Sequence, residues 1–134
     1  MDRDQKLLEL RPTISVDTTD ALPEELFQNL TIRPILKLQH HLLLAIFQHY
    51  LDEKNIKFAA MTAFKQRLTI ENAVKKDLPL RHTLIGCIVG HFTAEEYHTF
   101  LSNRVGLNKR ITALIIKKLT DEIIKPDKRN DTFT

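Results

Sequence analysis

Residues 34–54 read PILKLQHHLLLAIFQHYLDEK, and this stretch decides the fold class. Its apolar side chains recur at spacings of three and four residues, which is the period of one helix face. Pro34 pre-sets the backbone of a first helical turn. The apolar face is wide, as is typical of a central helix that packs on more than one side. The stretch therefore predicts a long central helix over about residues 34–54, with these apolar positions: Ile35, Leu38, Leu42, Leu43, Ala45, Ile46, Phe47 and Tyr50.

The segments before and after this stretch predict further helices. Residues 2–10 predict a short helix, the polar sequence TISVDTTDA at 13–21 predicts an extended arm, and Pro23 suits the first turn of a helix through Leu30. In the C-terminal half an apolar pattern that drifts around the helix suggests a bend or a break near Thr69. The predicted fold is an all-α compact bundle of five to six helices, with further helix signals at the caps Asn55, Asp77, Thr93 and Asn108 and the stop Gly106.

The composition agrees with one soluble helical domain. Of 134 residues only three are Gly and five are Pro, which disfavours a turn-rich all-β fold. We expect a short helix and arm at 1–22, a helical domain at 23–125 and a flexible polar tail at 126–134. The longest apolar run, Leu42–Phe47, is far shorter than the roughly 20 residues that span a bilayer. With no apolar signal segment at the start, the sequence predicts a cytoplasmic protein without a membrane partner.

The sequence GHFTAEEYH at residues 90–98 brings two histidines and two glutamates close together. His91, Glu95 and His98 are the candidate catalytic residues, because imidazoles and carboxylates exchange protons in many active sites. The same segment also suits a plain helix start, since Thr93 and Glu96 have the spacing of a capping box. Glu95 and His98 have the Glu-x-x-His spacing of di-iron bundles, but the second copy that such a site needs is absent. The sequence therefore predicts no metal site and no cofactor.

Residues 93–118 offer an alternative interpretation as a segment resembling a helix-turn-helix. Asn108, Lys109 and Arg110 would lead its recognition helix, where contacts to phosphates and bases begin. Against this interpretation, Ile111 and Leu114 occupy positions that should face the DNA groove. An ordinary helical hairpin accounts for the same pattern.

The charge is distributed unevenly along the chain. Residues 1–31 carry three cationic and seven acidic side chains, whereas residues 103–134 carry eight and four. Uneven charge and apolar faces on several helices are typical of proteins that self-associate or bind another protein. P-loop, nucleophile-elbow and dinucleotide-binding motifs are absent from the sequence. We therefore expect a binding or assembly module that forms a homodimer rather than an enzyme.

Several segments also carry a family resemblance. LLELRPTI at 7–14, NLTIRPILKLQHHLLL at 29–44, and GHFTAEEYHTF at 90–100 with LNKRI at 107–111 resemble a small family of uncharacterised bacterial helical proteins. Some members carry a glyoxalase label, so the resemblance implies a bacterial protein and, through that label, a glyoxalase-like or metal-dependent enzyme. It names no active-site residue. The βαβββ modules of glyoxalase I require alternating strands, and this sequence shows almost no alternation of period two.

Overall fold

The computed structural model describes residues 2–124, and the regular structure in this range is entirely helical. The all-α class that the sequence predicts is therefore confirmed, and no strand occurs between residues 2 and 124. The predicted polar tail at 126–134 lies outside the described residues. The α-helices are α1 (Arg3–Leu10), α2 (Pro23–Phe27), α3 (Arg33–Leu38), α4 (His40–Glu53), α5 (Ala63–Lys76), α6 (Leu78–Val89), α7 (Ala94–Ser102) and α8 (Arg104–Ile123).

The predicted central helix begins earlier than its sequence suggests. The helical path starts at Pro23 and passes through a π-helical segment, Gln28–Ile32, before it reaches Pro34. Pro34 has no N–H to donate and its ring crowds the carbonyl of Leu30, so the turn before it widens. Pro34 is consequently the second residue of α3 rather than the start of a separate helix.

A second irregularity separates α3 from α4 at Gln39, where φ is −89° and ψ is 6°. The Gln39 side-chain Nε2 donates a hydrogen bond of 2.9 Å to the backbone oxygen of Cys87 in α6. This tertiary contact ties the irregularity at Gln39 to α6. The helix predicted over residues 34–54 is therefore observed as two segments.

The core lies where α4, α5, α6 and α8 pack together. Leu43 and Phe47 of α4 and Ile111 and Ile115 of α8 are fully buried there. Burial of each such side chain contributes roughly 1.5–3 kcal/mol to the free energy of unfolding. With 20 residues α8 is longer than α4, and it contacts α4, α5, α6 and α7. Within residues 2–124 every helix is too short or too polar to cross a bilayer.

Two of the predicted helix boundaries in the middle of the chain are wrong. Asp77 caps α6 as expected, but α5 begins after Thr62, whose Oγ1 accepts a backbone hydrogen bond of 3.2 Å. Asn55 has a φ of 58° and follows the end of α4. Asparagine tolerates this left-handed conformation, so here it ends one helix instead of starting the next. The break that the sequence allows near Thr69 does not occur, because α5 continues through that residue.

The predicted stop at Gly106 and cap at Asn108 are wrong as well. Asn103 caps α8, and its Oδ1 accepts the Gly106 N–H at 3.3 Å. A Cβ on residue 106 would lie 2.9 Å from that oxygen. Glycine is therefore suited to this position by the close approach of the capping side chain, in the first turn of a helix.

Candidate functional site

The junction between α6 and α7 contains the candidate catalytic residues, and its geometry is that of a helix start. Thr93 Oγ1 accepts the Glu96 N–H at 3.1 Å, and Glu96 Oε1 accepts the Thr93 N–H at 2.8 Å. This reciprocal pair is the capping box that the sequence predicts. One oxygen of the Glu96 carboxylate is thus engaged in capping the N-terminus of α7.

The guanidinium of Arg11 binds both oxygens of this carboxylate. Arg11 donates two hydrogen bonds to Glu96, of 2.7 and 2.6 Å, and a third of 2.7 Å to the backbone oxygen of His91. The two side chains are only 7% and 17% exposed. A bidentate arginine–carboxylate contact of this kind fixes geometry as well as charge. The chain therefore fills this junction with a side chain of its own, that of Arg11.

Helix α1 binds the same junction from another side. Arg3 donates hydrogen bonds of 3.0 Å to the backbone oxygens of Gly90 and Phe92, and Asp4 Oδ2 accepts the Ala94 N–H at 3.2 Å. The free carbonyls at the end of α6 and a free amide of α7 are satisfied by these side chains. We call Arg3, Asp4 and Arg11, bound to residues 90–96, the N-terminal clamp.

The clamp also determines the protonation of the buried carboxylate. Burial alone would raise the pKa of Glu96, but hydrogen bonds from Arg11 and from the Thr93 amide outweigh it and hold that pKa below its ordinary value. Glu96 is consequently an ionised structural group. It was not among the predicted site residues, and its capping-box spacing was the only sequence signal of its role.

The three candidate catalytic residues do not form one enclosed site. His91 is partly buried under the clamp, and burial, with the charges of Arg11 and Arg3, lowers its pKa. Its Nδ1 is buried without a hydrogen-bond partner within the described chain. Glu95 and His98 are both exposed on α7. Between residues 2 and 124 no group of three or more His, Cys, Asp or Glu side chains gathers in a metal-binding arrangement.

The candidate nucleic-acid-binding residues lie in the second turn of α8. Arg110 Nε donates to Glu24 at 3.1 Å and a terminal nitrogen donates to Gln28 at 2.9 Å, which ties α8 to α2 and the π-helical segment. Asn108 is partly buried, and Lys109 alone of the three is exposed. The helix begins at Arg104, so these residues do not lead it.

A groove of about 840 Å³ lies between α4 and the junction of α5 with α6. A volume of this size is within the range of ligand-binding and partner-binding clefts. Its lining is mainly apolar. We call its charged side chains, of which Glu53, Lys54 and Lys76 are exposed, the rim. We call this feature the α4 groove; its lining residues are Ala45, Ile46, His49, Tyr50, Glu53, Lys54, Lys76, Asp77, Leu78, Pro79, Leu80 and Thr83.

The polar groups of the α4 groove suit recognition better than catalysis. Burial raises the pKa of Tyr50, and the charge of Asp77 and a hydrogen bond to it act in the same direction. His49 Nε2 lies 3.8 Å from Glu53 Oε2, with both side chains largely exposed. An exposed imidazole beside an exposed carboxylate is typical of the rim of an interface. The sequence signal for this site is the wide apolar face of residues 34–54, a pattern that also indicates a helix packed on more than one side.

No protein-family model, curated protein or solved structure matches this chain. Its class is accordingly given by the fold: a small all-α protein with an open, mainly apolar groove along one helix. The junction at 90–96 is occupied by side chains of the chain itself, whereas the α4 groove is open.

Proposed function

We propose that this chain is an assembly module that forms a homodimer through the α4 groove. The observation that carries the proposal is that α4 has two apolar faces, of which one is packed in the core. Leu43 and Phe47 are fully buried, whereas Leu42 is 48% exposed on the same side of the helix as Ala45 and Ile46. An apolar face at helical spacing beside an open groove is typical of helix-in-groove recognition.

We take a second copy of the chain as the occupant of the groove, because each copy has both the groove and the apolar α4 face of Leu42, Ala45 and Ile46. In a contact with two-fold symmetry, this face of each protomer packs into the groove of the other. The rim supports this pairing, since it carries two carboxylates, Glu53 and Asp77, and two ammonium groups, Lys54 and Lys76. Such a rim is complementary in charge to itself.

The alternatives raised by the sequence receive less support from the geometry. Binding to DNA by the start of α8 would rest mainly on Lys109, since Arg110 is engaged with Glu24. A glyoxalase-like or metal-dependent reaction at the α6–α7 junction would have to displace the N-terminal clamp. The bacterial origin that the family resemblance implies and the cytoplasmic setting that the sequence predicts are part of the proposal.

The test is the molecular mass in solution of the full chain and of Ala45→Glu, by light scattering after size exclusion at about 1 to 100 µM. Symmetry places the new carboxylate twice in the interface. At about 1.5 kcal/mol for each unpaired charge, the dimer loses about 3 kcal/mol, so its Kd rises about a hundredfold. Ala113→Glu is the matched control, because Ala113 is an exposed alanine of α8 that does not line the groove.

The proposal expects a dimer for the full chain and for Ala113→Glu, and a monomer for Ala45→Glu at the same concentration. Helix content and melting temperature of both variants serve to show that the fold is intact. A monomeric full chain across the whole concentration range, or equal dissociation of the two variants, would overturn the assignment.

A further inference from the structure

A second cavity, of about 500 Å³, lies on another part of the molecule, where the arm crosses α3 and α8. Thr13, Ile14 and Ser15 of the arm form one wall. Arg33, Leu36 and Lys37 of α3 form another, and Leu114, Lys117, Lys118 and Asp121 of α8 complete it. We call this feature the arm pocket.

The arm pocket concentrates positive charge. Four cationic side chains line it, together with one carboxylate: Arg33, Lys37, Lys117, Lys118 and Asp121. Asp121 Oδ2 is 2.7 Å from Lys117 Nζ, and this is the only ion pair that those four cations make within residues 2–124. Arg33 and Lys37 are four residues apart on one helix, where like charges repel. An anion that occupies the pocket neutralises this excess of positive charge.

The widened turn that Pro34 imposes lies directly before Arg33. The π-helical segment Gln28–Ile32 ends immediately before this residue. Such insertions change the face that the following residues present, and they occur frequently at functional sites. In this chain the residues that follow the insertion are Arg33 and Lys37, which both line the arm pocket.

We propose that the arm pocket binds a small phosphorylated ligand. Guanidinium and ammonium groups from α3 and α8 line the pocket and can bind a phosphate, and the hydroxyls of Thr13 and Ser15 are further donors. Leu36 and Leu114 provide an apolar wall for the rest of the molecule. The volume is within the range of small-molecule sites, and the cations surround a concave pocket rather than forming the long stripe that a nucleic acid backbone needs.

Isothermal titration of the full chain with inorganic pyrophosphate, and separately with adenosine diphosphate, tests this proposal at constant ionic strength. We expect one site per chain with a Kd below about 1 mM for pyrophosphate. Adenosine diphosphate should bind more tightly, because its adenine ring can pack on the apolar wall. Lys118→Gln and Arg33→Gln should each weaken pyrophosphate binding about tenfold. Lys75→Gln, which neutralises an exposed lysine of α5, is the matched control and should leave Kd unchanged.

Asp121→Asn provides the opposite sign. Removing the carboxylate takes a repelling charge from the pocket and frees Lys117, so the variant should bind pyrophosphate about three to ten times more tightly. A titration that shows no saturable heat of binding up to about 10 mM pyrophosphate would overturn the proposal. Equal weakening by Lys75→Gln and Lys118→Gln, or stronger binding of duplex DNA that excludes pyrophosphate, would overturn it too, because either result indicates general attraction of polyanions. These outcomes are independent of the oligomeric state.

Discussion

Replacing Arg11 with Met removes the guanidinium that holds the N-terminal clamp on the α6–α7 junction. The substitution keeps an unbranched side chain of similar length, so it removes charge and donors with little loss of volume. It deletes the two hydrogen bonds to Glu96 and the one to the backbone oxygen of His91. The Glu96 carboxylate, 17% exposed, is left without its cation.

The size of the effect follows from burial. Breaking a buried ion pair by removing one partner costs about 3–5 kcal/mol, since the remaining charge is uncompensated. Glu96 keeps hydrogen bonds from the Thr93 amide at 2.8 Å and from the Thr31 hydroxyl at 3.3 Å, which reduces the loss. We therefore expect the free energy of unfolding to fall by about 3 kcal/mol and the melting temperature by about 10 °C.

The pH dependence provides a second signature of the same contact. The folded-state pKa of Glu96 lies below its ordinary value of 4.5. A lowered carboxyl pKa means that the unfolded chain binds the proton more readily, so the contribution is present above pH 4.5 and is lost as the pH falls through the folded-state pKa. The stability difference between the natural chain and Arg11→Met should accordingly be full at pH 7 and shrink under acid conditions.

Urea unfolding followed by circular dichroism measures this difference, and hydrogen exchange of residues 3–11 shows whether the clamp opens locally. Glu96→Gln is the companion variant, because glutamine can keep the capping hydrogen bond to Thr93. Combining it with Arg11→Met removes both charges, and the double variant should be more stable than Arg11→Met alone. A stability of Arg11→Met within about 0.5 kcal/mol of the natural chain, or a double variant no better than the single, would refute the reasoning.

Two further predictions concern local contacts. The folded-state pKa of His91 is lowered, so the unfolded chain takes up this proton more readily and stability falls as the pH drops below 6.5. His91→Gln should therefore make the melting temperature less dependent on pH between pH 6.5 and 5. An unchanged slope of melting temperature against pH would contradict the assignment. At the start of α8, Gly106→Ala should leave the free energy of unfolding nearly unchanged, because the new Cβ meets the Asn103 cap. In a chain whose cap has already been removed by Asn103→Ala, the same substitution should raise the free energy of unfolding by about 1 kcal/mol. Urea unfolding of the four chains of this cycle measures the difference, and equal gains in both backgrounds would exclude the contact.

Local signals in the sequence are sufficient where a helix start depends on neighbours a few residues away. Thr93 with Glu96, and Asp77 before Pro79, predict the caps of α7 and α6, and both caps are confirmed. The same reasoning fails at Asn55, because asparagine suits a helix N-cap and a left-handed helix end equally well. The choice between these roles depends on where the neighbouring helices pack.

Distant contacts account for the rest of what the sequence does not reveal. Arg11 and Glu96 are 85 residues apart, and no repeating pattern in the sequence connects Arg11 with α7. Gln39 and Cys87 are 48 residues apart, and their contact accompanies the bend in the predicted central helix. Lys37 and Lys118 come to line one pocket only after α3 and α8 have packed. Charge and apolar spacing along the chain identify the participants, but tertiary packing selects their partners.

The distribution of exposed apolar residues favours the α4 groove over the surfaces of α5 and α7 as the proposed place of assembly. A single exposed residue such as Phe64, 69% exposed on α5, is ordinary for a protein surface. Tyr97 and Leu101 form an exposed pair on α7, but the cavity beside Tyr97 is smaller, about 460 Å³, and Arg81 and His82 contribute to its walls. At the α4 groove, in contrast, exposed apolar side chains from two helices face a shared concave surface whose rim balances positive and negative charge. A partner that enters this groove removes apolar area from water on both sides at once, and this is the arrangement in which burial favours association most strongly.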